Sequence, residues 1–141
     1  YGLDSNYQVM LWFATADRMI AQHHYDSAFV LFDSIQTQFP YHSLADDILF
    51  RKAQALEQRG QWQAALGYYA DLLKLHGKDI LADDALFRTA EILELRLLDK
   101  TAAVESYKKL LIDYKSSLYG AEARKRIRLL RGDAPSEDDE L

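Results

Sequence analysis

Apolar residues recur at helical spacing in seven stretches of this chain, separated by short polar breaks. The pattern predicts helices over about 6–22, 25–39, 44–59, 62–76, 80–96, 100–114 and 118–131. Phe29, Phe32, Ile35 and Phe39 form one stripe on the second. The first carries Val9, Met10, Leu11, Trp12 and Phe13 in a row, so it needs cover on more than one face. The breaks hold stop signals: Gly60 suits a position just past a helix end, and Pro40 cannot continue the helix before it. Asp4 or Ser5 is the expected cap of the first helix, and Ser43 with Asp46 that of the third. Asp46 and Asp47 suit the positive end of a helix dipole.

The stretches pair into a repeat. Leu44-Ala45-Asp46-Asp47 returns as Leu81-Ala82-Asp83-Asp84, and Leu49-Phe50-Arg51 as Leu86-Phe87-Arg88. Phe13, Phe50 and Phe87 stand 37 residues apart, as do Ala16, Ala53 and Ala90. Ala28 and Ala65 keep the same interval, and Ala103 follows after 38. The extra residue falls in the turn around Leu97–Lys100, where an insertion costs little. Phe32, Tyr69 and Tyr107 keep the same register.

These columns resemble the tetratricopeptide repeat (TPR). Trp12, with Leu49 and Leu86, matches the family's leading position; Ala16, Ala53 and Ala90 match its first small residue. Ala28, Ala65 and Ala103 match the alanine of the second helix, and Phe32, Tyr69 and Tyr107 the aromatic after it. Pro40 matches the closing proline, which Gly77 and Lys115 replace later. The resemblance implies an all-α chain, an α-solenoid of three TPR-like helix-turn-helix units plus a C-terminal capping helix. The units fall at about 6–40, 43–77 and 80–115, the cap at 118–131, within a domain 1–132 followed by an acidic tail, 133–141. Units longer than the usual period of about 34 residues, with this kind of join, resemble those of bacterial cell-envelope proteins. That leans towards the periplasm or cell envelope and leaves the cytoplasm open.

The last helix differs from its predecessors. Lys125 stands in the place of Phe87, and Arg128 in that of the small alanine, while Ala123, Ile127 and Leu130 keep an apolar stripe. This is the pattern of a cap, with one face on the repeat and the other in water.

Composition narrows the chemistry. The net charge is −5, yet five acids of the tail (Asp133, Glu137, Asp138, Asp139, Glu140) account for all of it. Arg124, Lys125, Arg126, Arg128 and Arg131 gather in the last helix, so most of the chain is acidic and nucleic acid is not an expected partner. There is no cysteine and no apolar run long enough to span a membrane. The chain opens on Tyr1, as a processed chain or an excised piece of a longer one would. His23, His24, His42 and His76 match no zinc spacing and read as surface or capping residues. The Asp pairs recur because the unit recurs, and Arg131-Gly132-Asp133 reads as a helix end. Trp62, Tyr68 and Tyr69 read as core. No catalytic motif, metal site or cofactor is expected.

What remains is a protein-interaction scaffold. Relatives of the TPR type bind peptides along the face of their first helices. Carried onto this sequence, that face comprises Met10, Phe13, Asp17 and Ile20, then Asp47, Phe50, Gln54 and Glu57, then Asp84, Phe87, Glu91 and Glu94. Three phenylalanines flanked by carboxylates favour a protein or peptide segment carrying basic and apolar residues. The alternative is a structural C-terminal end of a longer repeat array with no ligand of its own. The apolar run on helix 1 also predicts self-association, with Met10, Phe13 and Ile20 left over once helix 2 has covered Trp12 and Ala16.

Overall fold

The computed structural model describes residues 3–132, with side chains from Ser5 onward. They form seven helices and no strand: α1 (Leu3–Ala21), α2 (Tyr25–Gln38), α3 (Ala45–Gln58), α4 (Trp62–Leu75), α5 (Ala82–Leu95), α6 (Lys100–Asp113) and α7 (Gly120–Leu130). The expected acidic tail, 133–141, lies outside the described residues. The chain divides into two compact units, Tyr1–Tyr68 and Tyr69–Leu141.

In the first unit α1 and α2 form a hairpin. Ala16 and Ala28 are wholly buried, and each small side chain lets the neighbouring backbone approach. Val9, Ile20, Phe32 and Ile35 fill the core, with Ile48 and Ala55 arriving from α3. Trp12 meets Phe39 edge-on at 5.6 Å, and Phe13 lies against Phe32 at 5.5 Å. Burying a side chain such as Phe32 contributes about 1.5–3 kcal/mol.

In the second unit α5, α6 and α7 share one core: Leu86, Phe87, Ala90, Ala103, Tyr107, Leu110, Ala123 and Ile127. Here α7 lays Ala123 and Ile127 inward, with Leu130 partly buried beside them; Arg124 is exposed, whereas Lys125 and Arg128, expected on the water face, are half-buried. Asp99 caps α6, its side chain accepting from the Ala102 N–H at 3.1 Å.

The repeat extends into the turns. The link within each pair places one residue in the left-handed region at the same register: His23 (φ 65°), Gly60 (φ 72°) and Leu98 (φ 55°). Only glycine adopts that conformation without steric cost. Leu98 is exposed and sits in the turn with the extra residue. Leu98→Gly is therefore expected to stabilise the second unit by about 0.5–1 kcal/mol, because relief of the strain exceeds the added entropy of the unfolded chain. A urea midpoint that falls on this substitution would contradict the assignment. Gly77 has a different reason for its place. A Cβ there would come within 2.6 Å of the Leu73 carbonyl oxygen, so the proline of the first unit has no room. Tyr114 closes the same corner by donating its hydroxyl to the Gly77 carbonyl at 2.6 Å.

Two expectations about helix starts are corrected. α1 opens at Leu3, which puts Asp4 and Ser5 inside its first turn rather than at the cap. The cap of α3 is Leu44, with no side-chain cap bond. Leu44 has φ −104° and ψ 17°, outside the extended region from which a serine or aspartate caps. Its N–H donates to His42 Nδ1 at 3.0 Å instead. Burial lowers the His42 pKa, which favours the neutral ring that this bond requires.

Helix 1 is also covered differently from expectation. Ile20 is buried in the first-unit core, and Phe13 is half-buried against Phe32. The bare residues are Tyr7, Met10 and Leu11, at 69%, 67% and 44% exposure. α3 packs on α1 as well as on α2, and its Ile48 and Ala55 belong to the core in which Ile20 is buried.

Candidate functional site

The first helices of the repeats, α1, α3 and α5, carry all twelve predicted face residues. In the first unit Met10 is exposed, Phe13, Asp17, Asp47, Phe50, Gln54 and Glu57 are half-buried, and Ile20 is buried. The face is less acidic than its carboxylates imply. Arg51 Nε lies 3.5 Å from Asp17 Oδ1, and Arg51 Nη1 donates to Gln54 Oε1 at 3.2 Å. One arginine thus bridges α1 and α3 and neutralises the carboxylate between them.

Asp47 lines a cleft between α1 and the start of α3. The cleft encloses about 640 Å³ and is walled by Val9, Met10 and Phe13 on one side and by His42, Leu44 and Asp47 on the other. Desolvation raises the Asp47 pKa, Asp46 raises it further, and Arg51 opposes both. A half-buried carboxylate beside apolar walls is suited to a cation or a hydrogen-bond donor.

In the second unit the chain's own groups occupy the corresponding face. Phe87 is buried beneath Tyr119, the rings stacked at 4.4 Å, and meets Tyr107 edge-on at 5.9 Å. Asp84 accepts a short hydrogen bond from the Tyr119 hydroxyl, and Asp83 accepts one from Ser117 at 2.6 Å. The bond to Asp84, with desolvation and nearby acids, pushes the Tyr119 phenol up to about 12. Glu91 pairs with Arg88 at 2.6 Å. Glu94 is buried, accepts from the Tyr107 hydroxyl at 2.7 Å and from Arg126 Nε at 3.0 Å, and forms an ion pair with Arg126. Phe87, Asp84 and Glu94 therefore tie α5 to α6 and α7, whereas Glu91 pairs within α5.

Several residues escaped the sequence reading. Arg51 and Arg88 were visible as the last letter of the repeated Leu-Phe-Arg and were not weighed as partners for the face. Lys52 is buried, with Nζ 2.6 Å from Asp33 Oδ1 and 5.5 Å from the ring centroids of both Phe29 and Tyr68. Its alkyl stem packs while its charge is held by a carboxylate and two ring faces. No local sequence signal marks that cage.

Among the described residues no group of three or more histidines or acids could hold a metal ion, and no helix is long and apolar enough to cross a membrane. Residues 47–79 and 84–117 each match the tetratricopeptide repeat. The two matches support a tetratricopeptide repeat chain. They fall on the second and third repeats of the 37-residue register. The first repeat lies outside the matched residues, yet it buries Ala16, Ala28 and Phe32 as its successors bury Ala53, Ala65 and Tyr69. No curated protein matches the chain. Tetratricopeptide repeats point to protein partners and to a scaffold rather than to catalysis.

Proposed function

We propose that this chain is a non-catalytic interaction scaffold that holds a peptide or partner segment on the first-helix face of its N-terminal unit. One contrast carries the reading: Phe13 and Met10 border an open cleft, whereas Phe87, at the same register, lies under Tyr119. The α1–α3 face offers apolar surface from Met10, Phe13 and Phe50 and a carboxylate at Asp47, so the segment is basic and apolar. The length of the repeats and the join at Phe39–Ala45 resemble those of bacterial cell-envelope TPR domains, which makes the periplasm the first place to seek the partner.

Exposure of Tyr7, Met10 and Leu11 favours a second reading, in which α1 meets a second copy or a neighbouring repeat. At the register of Leu11, α3 carries Ile48, which is fully buried in the core it shares with α1 and α2. The two readings separate by mutation. Phe13→Glu with Phe50→Glu is expected to remove a partner recovered by affinity capture, while Tyr7→Lys with Leu11→Lys leaves it bound. If light scattering shows a dimer that only the lysine variant dissociates, and no partner depends on Phe13 and Phe50, the self-association reading replaces the first.

A further inference from the structure

The two units contain the same kind of junction in two states. At the α5–α7 junction Tyr119, the N-cap of α7, lays its ring on Phe87 and its hydroxyl on Asp84. The register carries Phe87 back to Phe13 and Tyr119 back to Leu44. Leu44 is likewise the N-cap of its helix, and its φ and ψ (−104°, 17°) lie close to those of Tyr119 (−85°, −2°). The two side chains therefore leave the backbone in the same direction, but leucine is shorter. Leu44 and Phe13 both line the 640 Å³ cleft, and Phe13 stays half-buried there.

The polar groups differ as well. Met10 takes the register of Asp84, so the first helix has no carboxylate at that position, and the polar group it brings to the cleft is the amide of Asn6. The carboxylate of this cleft is Asp47, on the opposite wall. Met10 adds a thioether beside the ring site, a favourable neighbour for an aromatic group. Asp47 adds a charge that a lysine or arginine next to that group would meet.

We infer that the α1–α3 cleft receives an aromatic side chain from a partner segment, stacked on Phe13 as Tyr119 stacks on Phe87, with an adjacent basic residue on Asp47. The inference rests on the proposed binding face and names the anchor of the ligand. It places aromatic anchoring in the first unit only, because the second unit supplies its own ring.

The test is a nuclear magnetic resonance titration of the whole chain with two capped tripeptides of equal charge, Lys-Tyr-Lys and Lys-Leu-Lys. The tyrosine probe is expected to shift the resonances of Met10, Phe13 and Leu44 along a saturating curve, with affinity about fivefold above the leucine probe. Leu44→Tyr should fill the cleft from within and weaken the tyrosine probe about tenfold. Phe13→Leu, which keeps the site apolar and removes the ring, should erase the preference for tyrosine even if the first variant does not fold. Equal affinity for both probes, no saturating shift at the cleft, or a folded Leu44→Tyr that binds as before would overturn the inference. A natural partner that covers α1 and α3 but ignores Leu44→Tyr would leave the binding face standing and remove the aromatic anchor.

Discussion

Arg126→Met is expected to destabilise the C-terminal unit by about 3 kcal/mol. Glu94 is only 7% exposed, and its carboxylate is held by the guanidinium of Arg126 and the hydroxyl of Tyr107. Removing one member of a buried ion pair leaves the other charged without compensation, which typically costs about 3–5 kcal/mol. Tyr107 still donates in the variant, so the lower end of that range applies. Replacing both members, with Glu94→Leu and Arg126→Met together, should recover only part of that loss: packed apolar groups often substitute for a buried pair, but the buried Tyr107 hydroxyl loses its acceptor, which costs about 1–3 kcal/mol. Urea unfolding of the two singles and the double gives the coupling energy directly. A single-mutant cost below about 1 kcal/mol would show that the pair is solvated in solution and does not fasten α7.

Truncation before residue 118 has a larger effect. It removes Tyr119, Ala123 and Ile127 from the second core and uncovers Phe87. Loss of burial at Phe87 and Ile127 alone forfeits about 1.5–3 kcal/mol each. Glu94 loses Arg126, and Asp84 loses the Tyr119 hydroxyl. The combined loss approaches the whole stability of a small unit, about 5–15 kcal/mol, so residues 69–117 should fail to fold and should aggregate through the exposed apolar surface. Deleting only residues 134–141 leaves every one of these contacts in place, and its melting curve should overlay that of the parent. A soluble chain ending at residue 117 with an unchanged midpoint would show that α7 is dispensable.

The period of 37 residues made the helix pairs legible because close-packed crossings admit only small side chains. Ala16, Ala53 and Ala90, like Ala28, Ala65 and Ala103, are all fully buried. The same period placed the turns, since the left-handed residue recurs at His23, Gly60 and Leu98. The face was legible only in part. A repeat pattern marks which residues share a position but not what lies beyond the last repeat, so Phe87 and Phe13 looked equivalent until Tyr119 was seen above one of them. Long charged side chains were legible least. Arg126 reaches Glu94 from another helix, and Lys52 threads between Phe29 and Tyr68, contacts that no spacing along the chain encodes. The bare side of α1 was not legible because burial of Ile20 depends on a core that α1, α2 and α3 build together.

Hydrogen exchange of the chain with a partner recovered by affinity capture addresses the binding face most directly. Protection is expected across Tyr7–Ile20 of α1 and Leu44–Glu57 of α3, with α2 and α7 exchanging as in the free chain. Protection confined to α2, α6 or α7, with α1 and α3 unchanged, would contradict the proposal that this protein holds its partner on the first-helix face of the N-terminal unit.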